Sequence, residues 1–173
     1  MYVMICDIDN CFVDSRDWFK YVPEATDREG WDEYFKHDDL CKPNKPVIDL
    51  VCSTAELLPV FFVTSREDRK QNRHNTIKQI KDFSNGKIDM FDENSSHKLL
   101  MRAEFDYRES SVVKEEILLQ IVNSGYTPIV AIDDDIHNCN MFHKYKIPTV
   151  LYDIEKNTFT KYQELVESMF SGK

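Results

Sequence analysis

Tyr2-Val3-Met4-Ile5-Cys6-Asp7-Ile8-Asp9-Asn10-Cys11 opens the chain, and its reading decides the rest. The apolar run 2–6 reads as a buried strand, and two carboxylates one residue apart leave its C-terminal end. Few folds tolerate such crowding of negative charge unless a cation neutralises it. The pair therefore points to a metal-assisted reaction, with a phosphate as the expected substrate group. If the chain stays extended, period-two alternation puts Asp9 on the same side as Asp7. A helix cap or a turn pair is the alternative when the two residues are taken alone.

Working outward, strand-like runs recur at 60–63, 88–91, 129–132 and 149–152. Several are nearly continuous in apolar residues, as strands covered on both faces are. Helical patterns lie between them. Pro46 opens one whose Val47, Val51, Ala55 and Leu58 share a stripe, and Pro59 bars its continuation. Another covers 67–82. Val113, Ile117, Leu118 and Ile121 mark a third, with Ser110 or Ser111 as N-cap and Gly125 near its end. A fourth runs from about 162 to 170. This alternation predicts an α/β fold with a mainly parallel sheet between helices. In such sheets ligands bind beyond the carboxyl ends of the strands.

Residues 14–45 break the pattern. They carry Trp18, Phe19, Tyr21, Trp31, Tyr34 and Phe35 among many charges, with Pro23 and Pro43. The expectation is a small flap or cap insertion over the site, within a single domain spanning 1–173. Roughly thirty residues are few for an independent core.

Composition narrows the class. With 42% hydrophobic and 31% charged residues, the chain is an ordinary globular one. No apolar run approaches the roughly 18–20 residues of a membrane helix. No basic segment precedes the first apolar run, so no signal peptide is expected. Five cysteines without paired spacing suggest reduced thiols in a cytoplasm. A net charge of −9 disfavours extensive duplex binding, which needs a basic face. A local basic pocket for one phosphate or a nucleic-acid end stays compatible with it.

Two further polar clusters follow strand-like runs. Thr64-Ser65-Arg66 combines hydroxyls, backbone N–H groups and a guanidinium fork suited to phosphate oxygens, although Thr-Ser before acids is also an ordinary helix cap. Asp133-Asp134-Asp135 places three carboxylates together, which calls for a counter-ion unless they are solvated loop acids. Lys114 supplies a positive charge near the start of its helix. Mg²⁺ suits this set, because it prefers oxygen ligands and uses one or two carboxylates plus substrate oxygens.

The ordered set D-x-D, T/S after a strand, K, and D-D after a strand resembles the haloacid-dehalogenase-like phosphohydrolase superfamily. Within it, the stretches around Val63–Glu67, Met101–Arg108, Val112–Ile117 and Ala131–Asp134 look like the 3′-phosphatase domain of phage-type polynucleotide kinase. The resemblance implies a Rossmann-like sheet, a Mg²⁺ cofactor and an aspartyl-phosphate intermediate. It implies Asp7 as nucleophile, Asp9 as general acid/base and Lys114 as stabiliser of the phosphoaspartate. Thr64, Ser65 and Arg66 would bind the substrate, with Arg102 and Arg108 as further basic contacts. Asp7, Asp9, Asp133 and Asp134 would form the metal site. The implied partner is a phosphorylated nucleotide or nucleic-acid end, in the cytoplasm of a host cell if the chain is phage-encoded.

Three positions depart from the family pattern. Asn10 stands for Gly, Cys11 for Thr, and Asp135 for a basic residue. No G-x-x-x-x-G-K-S/T loop occurs, so no 5′-kinase activity is expected. His137, Cys139 and His143 do not share one helix face, which argues against zinc. Cys11 lacks an activating base, so it is not read as a nucleophile. Arg66, Arg69, Lys70, Arg73 and His74 are candidates for a basic rim; helical spacing puts the first four on roughly one face, which reads as a solvated helix face ahead of a nucleic-acid track. The leading expectation is a Mg²⁺-dependent phosphomonoesterase acting on a polynucleotide 3′ end. A free-nucleotide phosphatase and a non-catalytic phosphate-binding module are the alternatives.

Overall fold

The computed structural model describes residues 1–23 and 28–161. The strands are β1 (Tyr2–Cys6), β2 (Val13–Asp14), β3 (Lys42–Pro43), β4 (Val60–Glu67), β5 (Lys98–Arg102), β6 (Thr127–Asp133), β7 (Thr149–Asp153) and β8 (Thr158–Lys161). The α-helices are α1 (Arg28–Tyr34), α2 (Lys45–Ala55), α3 (Lys70–Phe83), α4 (Ser110–Asn123) and α5 (Ile136–Lys144). Six strands form one sheet in the order β5-β4-β1-β6-β7-β8. All its pairings are parallel except β7 with β8. This is a mostly parallel, Rossmann-like α/β sheet.

Alternation along β1 explains the layering. Val3 and Ile5 join a core with Val113, Ile117, Leu118 and Ile121 of α4 and Met141 and Phe142 of α5. Met4 and Cys6 face the other way, into a core with Val47 and Val51 of α2 and Ile80 of α3. Both faces of the sheet are therefore covered, which is why its central strands carry no polar face. Chain order runs from β1 outward to β4 and β5, then returns to β6 on β1's other side. The crevice at that reversal lies beyond the carboxyl ends of β1, β4 and β6.

Several boundaries differ from the sequence reading. Residues 88–91 are not a strand: Ile88 is buried as a loop anchor while Phe91 is exposed. The strand beside β4 is instead β5, Lys98-Leu99-Leu100-Met101-Arg102, whose charged ends mask its apolar middle. β4 runs on through Thr64, Ser65 and Arg66 to Glu67, so these residues are strand and not a strand-to-helix turn. Helix α3 accordingly starts at Lys70. Arg66 therefore lies off the helix that carries Lys70, Arg73 and His74. The N-cap of α4 is Glu109, with Ser110 already helical. The helix expected at 162–170 lies outside the described residues.

Between β2 and β3, which pair antiparallel, the chain makes its excursion. Trp18 and Tyr34 stack at 4.3 Å, and the Trp18 indole donates to the Tyr34 carbonyl at 2.7 Å. Burying two such rings contributes several kcal/mol, on the order of 1.5–3 kcal/mol or more each. Among the described residues, no helix is long and apolar enough to cross a membrane.

Candidate active site

The end of β1 delivers Asp7, and a tight turn delivers Asp9. Asn10 takes φ +55°, a left-handed conformation that Asn adopts more readily than most residues. This accounts for Asn at a position where the resembled family has Gly. The turn brings the Asp9 carboxylate back over the crevice, where both aspartates line one pocket of about 470 Å³.

Lys114 reaches the same place from α4. Its Nζ donates to Asp7 Oδ1 at 2.6 Å and to Asp133 Oδ2 at 2.7 Å, and its side chain is 2% exposed. Burial works against the ammonium, yet Asp133 and Asp7 outweigh it and hold its pKa above the ordinary value. Burial raises Asp7 well above its usual range, with Asp133, Asp134 and Asp9 adding to the rise against Lys114. Asp134 is pushed up to about 7 by burial and by Asp133. One buried cation is thus shared by a cluster that carries more negative charge than it can offset.

Ligand oxygens of Asp7, Asp133 and Asp134 lie within 4.8 Å of one another. Three carboxylates and one ammonium leave two negative charges, the charge of one divalent cation. The donors are all oxygen, the class that Mg²⁺ prefers. These residues fit a Mg²⁺ ion. Asp9, expected among the metal ligands, is outside this group. Its carboxylate is gripped by Arg66, Nε to Oδ2 at 2.9 Å and Nη2 to Oδ1 at 2.6 Å, and by the Ser15 hydroxyl.

Arg66 is almost fully buried. Besides Asp9, it donates from Nη1 to Thr76 and Gln79 and from Nη2 to Cys41, and its guanidinium lies 4.6 Å from the Trp18 ring centroid. All of its donor nitrogens are engaged with protein, so the geometry makes it a holder of Asp9 more than a free phosphate contact. Thr64 lines the pocket, and its Oγ1 accepts from the Arg66 N–H at 3.2 Å. The Ser65 and Ser110 hydroxyls are 2.7 Å apart.

Two other arginines, Arg102 and Arg108, line the same pocket. Arg102 donates to the carbonyls of Ser65, Asp106 and Arg108, tying the loop after β5 to β4. Arg108 is half exposed and forks onto Asp106 and Glu116. The excursion adds an aromatic lining of Trp18, Phe19, Trp31, Tyr34 and Phe35. Of the basic residues in 66–74, Arg69 pairs with Glu67 and Arg73 with Asp68, which neutralises part of any rim they could form.

Several residues of the site escaped the sequence reading: Ser15, Cys41, Thr76, Gln79 and Asn138. Ser15 reaches Asp9 through the turn that follows it, whereas Cys41, Thr76 and Gln79 reach Arg66 only through packing of separate elements. Asn138 carried a local signal, as an amide in the first turn of the helix that follows Asp133 and Asp134. Asp135, which departs from the family, caps that helix by accepting from the His137 N–H at 2.8 Å. Cys11 is fully buried, and burial with a neighbouring Cys6 pushes its thiol up, away from thiolate chemistry.

A family model for the phosphatase domain of polynucleotide kinase PNKP matches residues 2–159. Among solved structures, a chain of the Pnkp1/Rnl/Hen1 complex is 18% identical at a TM-score of 0.54, covering 87% of this chain and 45% of its own length. A chain of the Pnkp1/Rnl/Hen1 RNA repair complex is 20% identical at a TM-score of 0.54, covering 87% and 42%. This chain therefore spans less than half of either, and at such identity the likeness shows the fold alone. No curated protein matches. Because the family match runs along nearly the whole chain, the protein belongs to the PNKP-type polynucleotide kinase phosphatase-domain family and is a phosphatase of the haloacid-dehalogenase class.

Proposed function

We propose that this chain is a Mg²⁺-dependent phosphomonoesterase that removes a 3′-phosphate from a polynucleotide end through an aspartyl-phosphate on Asp7. The observation that carries the reading is the buried Asp7–Lys114–Asp133 contact beside Asp134, opening into a pocket that also holds Asp9. A bound Mg²⁺, held by Asp7, Asp133 and Asp134, supplies charge neutralisation for the transferring phosphoryl group.

In the first step an Asp7 oxygen attacks phosphorus and the P–O ester bond breaks. The leaving 3′ oxygen takes its proton from Asp9. In the second step Asp9 accepts a proton from water as that water attacks phosphorus, the Asp7–phosphoryl bond breaks, and inorganic phosphate leaves. Lys114 holds the Asp7 carboxylate in place and offsets charge at the oxygen that carries the phosphoryl group. Arg66 and Ser15 fix where the Asp9 carboxylate stands. Thr64 lies within the pocket to meet phosphoryl oxygens.

The pocket's size supports a single terminal nucleotide, since 470 Å³ falls in the range of small-ligand sites and is far too small for duplex. Its aromatic wall supports stacking of a base, worth about 1–3 kcal/mol. A free-nucleotide phosphatase shares these features. The test is hydrolysis of 3′-phosphorylated oligonucleotides, with deoxyribose and ribose ends, against nucleoside 3′- and 5′-monophosphates. Higher kcat/KM for an oligonucleotide supports the proposal. A preference for free monophosphates favours the nucleotidase, and no phosphate release from any of them refutes catalysis.

A further inference from the structure

Asn138 stands in the first turn of α5, 2% exposed, beside the carboxylate cluster in the pocket wall. Its Nδ2 donates to Asp133 Oδ1 at 2.9 Å. That contact settles the orientation of the amide, because turning it over would set its carbonyl oxygen against a carboxylate oxygen. Oδ1 is then the free end. Among the described residues it is the one buried side-chain polar atom without a hydrogen-bond partner.

Buried acceptors left unpaired are rare in folded proteins, and each one calls for an explanation. The polar groups around this one offer little help. None of them bonds it: Lys114 gives its bonds to Asp7 and Asp133, and no oxygen of Asp7, Asp133 or Asp134 is placed as its partner. Asp133 Oδ1 is also saturated, taking the Asp135 N–H at 3.0 Å as well as the Asn138 amide. A cation held by the neighbouring carboxylates, or one of that ion's waters, has the donor character this oxygen lacks. The same ion removes the two negative charges left over by the cluster.

We infer that Asn138 Oδ1 is a fourth oxygen donor to the cation held by Asp7, Asp133 and Asp134, directly or through one of the ion's waters. The inference rests on the Mg²⁺ site of the proposed function. It assigns Asn138 two tasks: Nδ2 orients Asp133, and Oδ1 faces the ion.

The test is calorimetric titration of the metal-free protein with MgCl₂, and separately with MnCl₂, with thermal melting of the metal-free and metal-loaded forms. Asn138→Leu keeps the volume and removes the amide; Asn138→Ser, smaller and polar, serves if the first variant does not fold. The expected result is Kd weakened about tenfold or more, the scale of a supporting metal contact, with a smaller Mg²⁺-induced rise in Tm. The metal-free Tm should change little, because the orphaned acceptor leaves together with the Asp133 contact. Unchanged Kd in the variant, with wild type binding normally, overturns the Asn138 assignment and leaves the cation site standing. A lower metal-free Tm with unchanged Kd also overturns it, in favour of a purely structural role. Absence of Mg²⁺ and Mn²⁺ binding by wild type overturns the cation site and this inference together.

Discussion

Replacing Lys114 with Met tests the electrostatics of the site without touching a proposed nucleophile or metal ligand. The ammonium lies 2.6 Å from Asp7 and 2.7 Å from Asp133, with its side chain almost wholly buried. At an effective dielectric near 20, a charge pair at that range attracts by roughly 6 kcal/mol. Desolvation of the three groups offsets most of this, and removing one partner of a buried pair costs about 3–5 kcal/mol. In a domain of this size that lowers Tm by roughly 6–20 °C. The loss must depend on pH. Lys114 has a raised pKa, so wild type keeps its contribution throughout pH 5.5–8. In Lys114→Met, Asp7 and Asp134 lose the influence that lowers their pKa values, so both take up protons more readily. The folded variant then holds protons on Asp7 and Asp134 that the unfolded chain has released, and holding them costs more stability at pH 8 than at pH 5.5. Urea denaturation at the two pH values should show a gap of about 3–5 kcal/mol at pH 8, shrinking to about half at pH 5.5. A loss below about 1 kcal/mol at pH 8, or an equal loss at both pH values, refutes the reasoning.

Other consequences follow from the same site. Asp134 has its pKa raised to about 7, so between about pH 4 and 7 the folded chain binds a proton that the unfolded chain has released. Metal-free stability should therefore fall by roughly 2–4 kcal/mol as pH rises through that window. Saturating Mg²⁺ should raise Tm more at pH 8 than at pH 6, and a metal-free Tm that is flat with pH would contradict the raised value. Arg66→Lys keeps the charge but loses the fork on Asp9 and the contacts to Thr76 and Gln79. It should cost about 2–3 kcal/mol and lower kcat more than it raises KM; wild-type kcat in a folded variant would refute its hold on Asp9. Tyr107→Ala, at an exposed pocket-lining residue, should change stability by less than about 0.5 kcal/mol and raise KM for oligonucleotides with kcat kept. A lowered kcat with KM kept would place the effect on the chemistry instead.

How far the sequence carried the reading depends on the range of the interactions involved. β1 was legible because its apolar run is continuous and its C-terminal aspartates stand out. The α/β class followed from the same pattern repeated. Residues 88–91 misled because Ile88, Met90 and Phe91 look like half a strand, whereas only Ile88 is buried outright. β5 was hidden by Lys98 and Arg102 at its ends, as befits a strand at the sheet's edge. β8 was missed because Thr158-Phe159-Thr160-Lys161 is short and mostly exposed. In the site, Asp7, Lys114 and Asp133 could be assembled by resemblance, but the Arg66–Asp9 fork spans 57 residues and depends on β4 continuing past Thr64. Buried polar strand residues carry no periodicity signal, so that contact was invisible before folding. The unpaired oxygen of Asn138 is likewise a property of three-dimensional packing alone.

The central claim is that Asp7 attacks a phosphomonoester. It is tested most directly by incubating Asp7→Asn with a 3′-phosphorylated oligonucleotide and Mg²⁺, after melting shows the variant folded, and measuring released phosphate against wild type. The substitution keeps shape and removes the nucleophile. The account predicts that turnover falls by roughly 10⁴-fold or more. Turnover within a few-fold of wild type would contradict it.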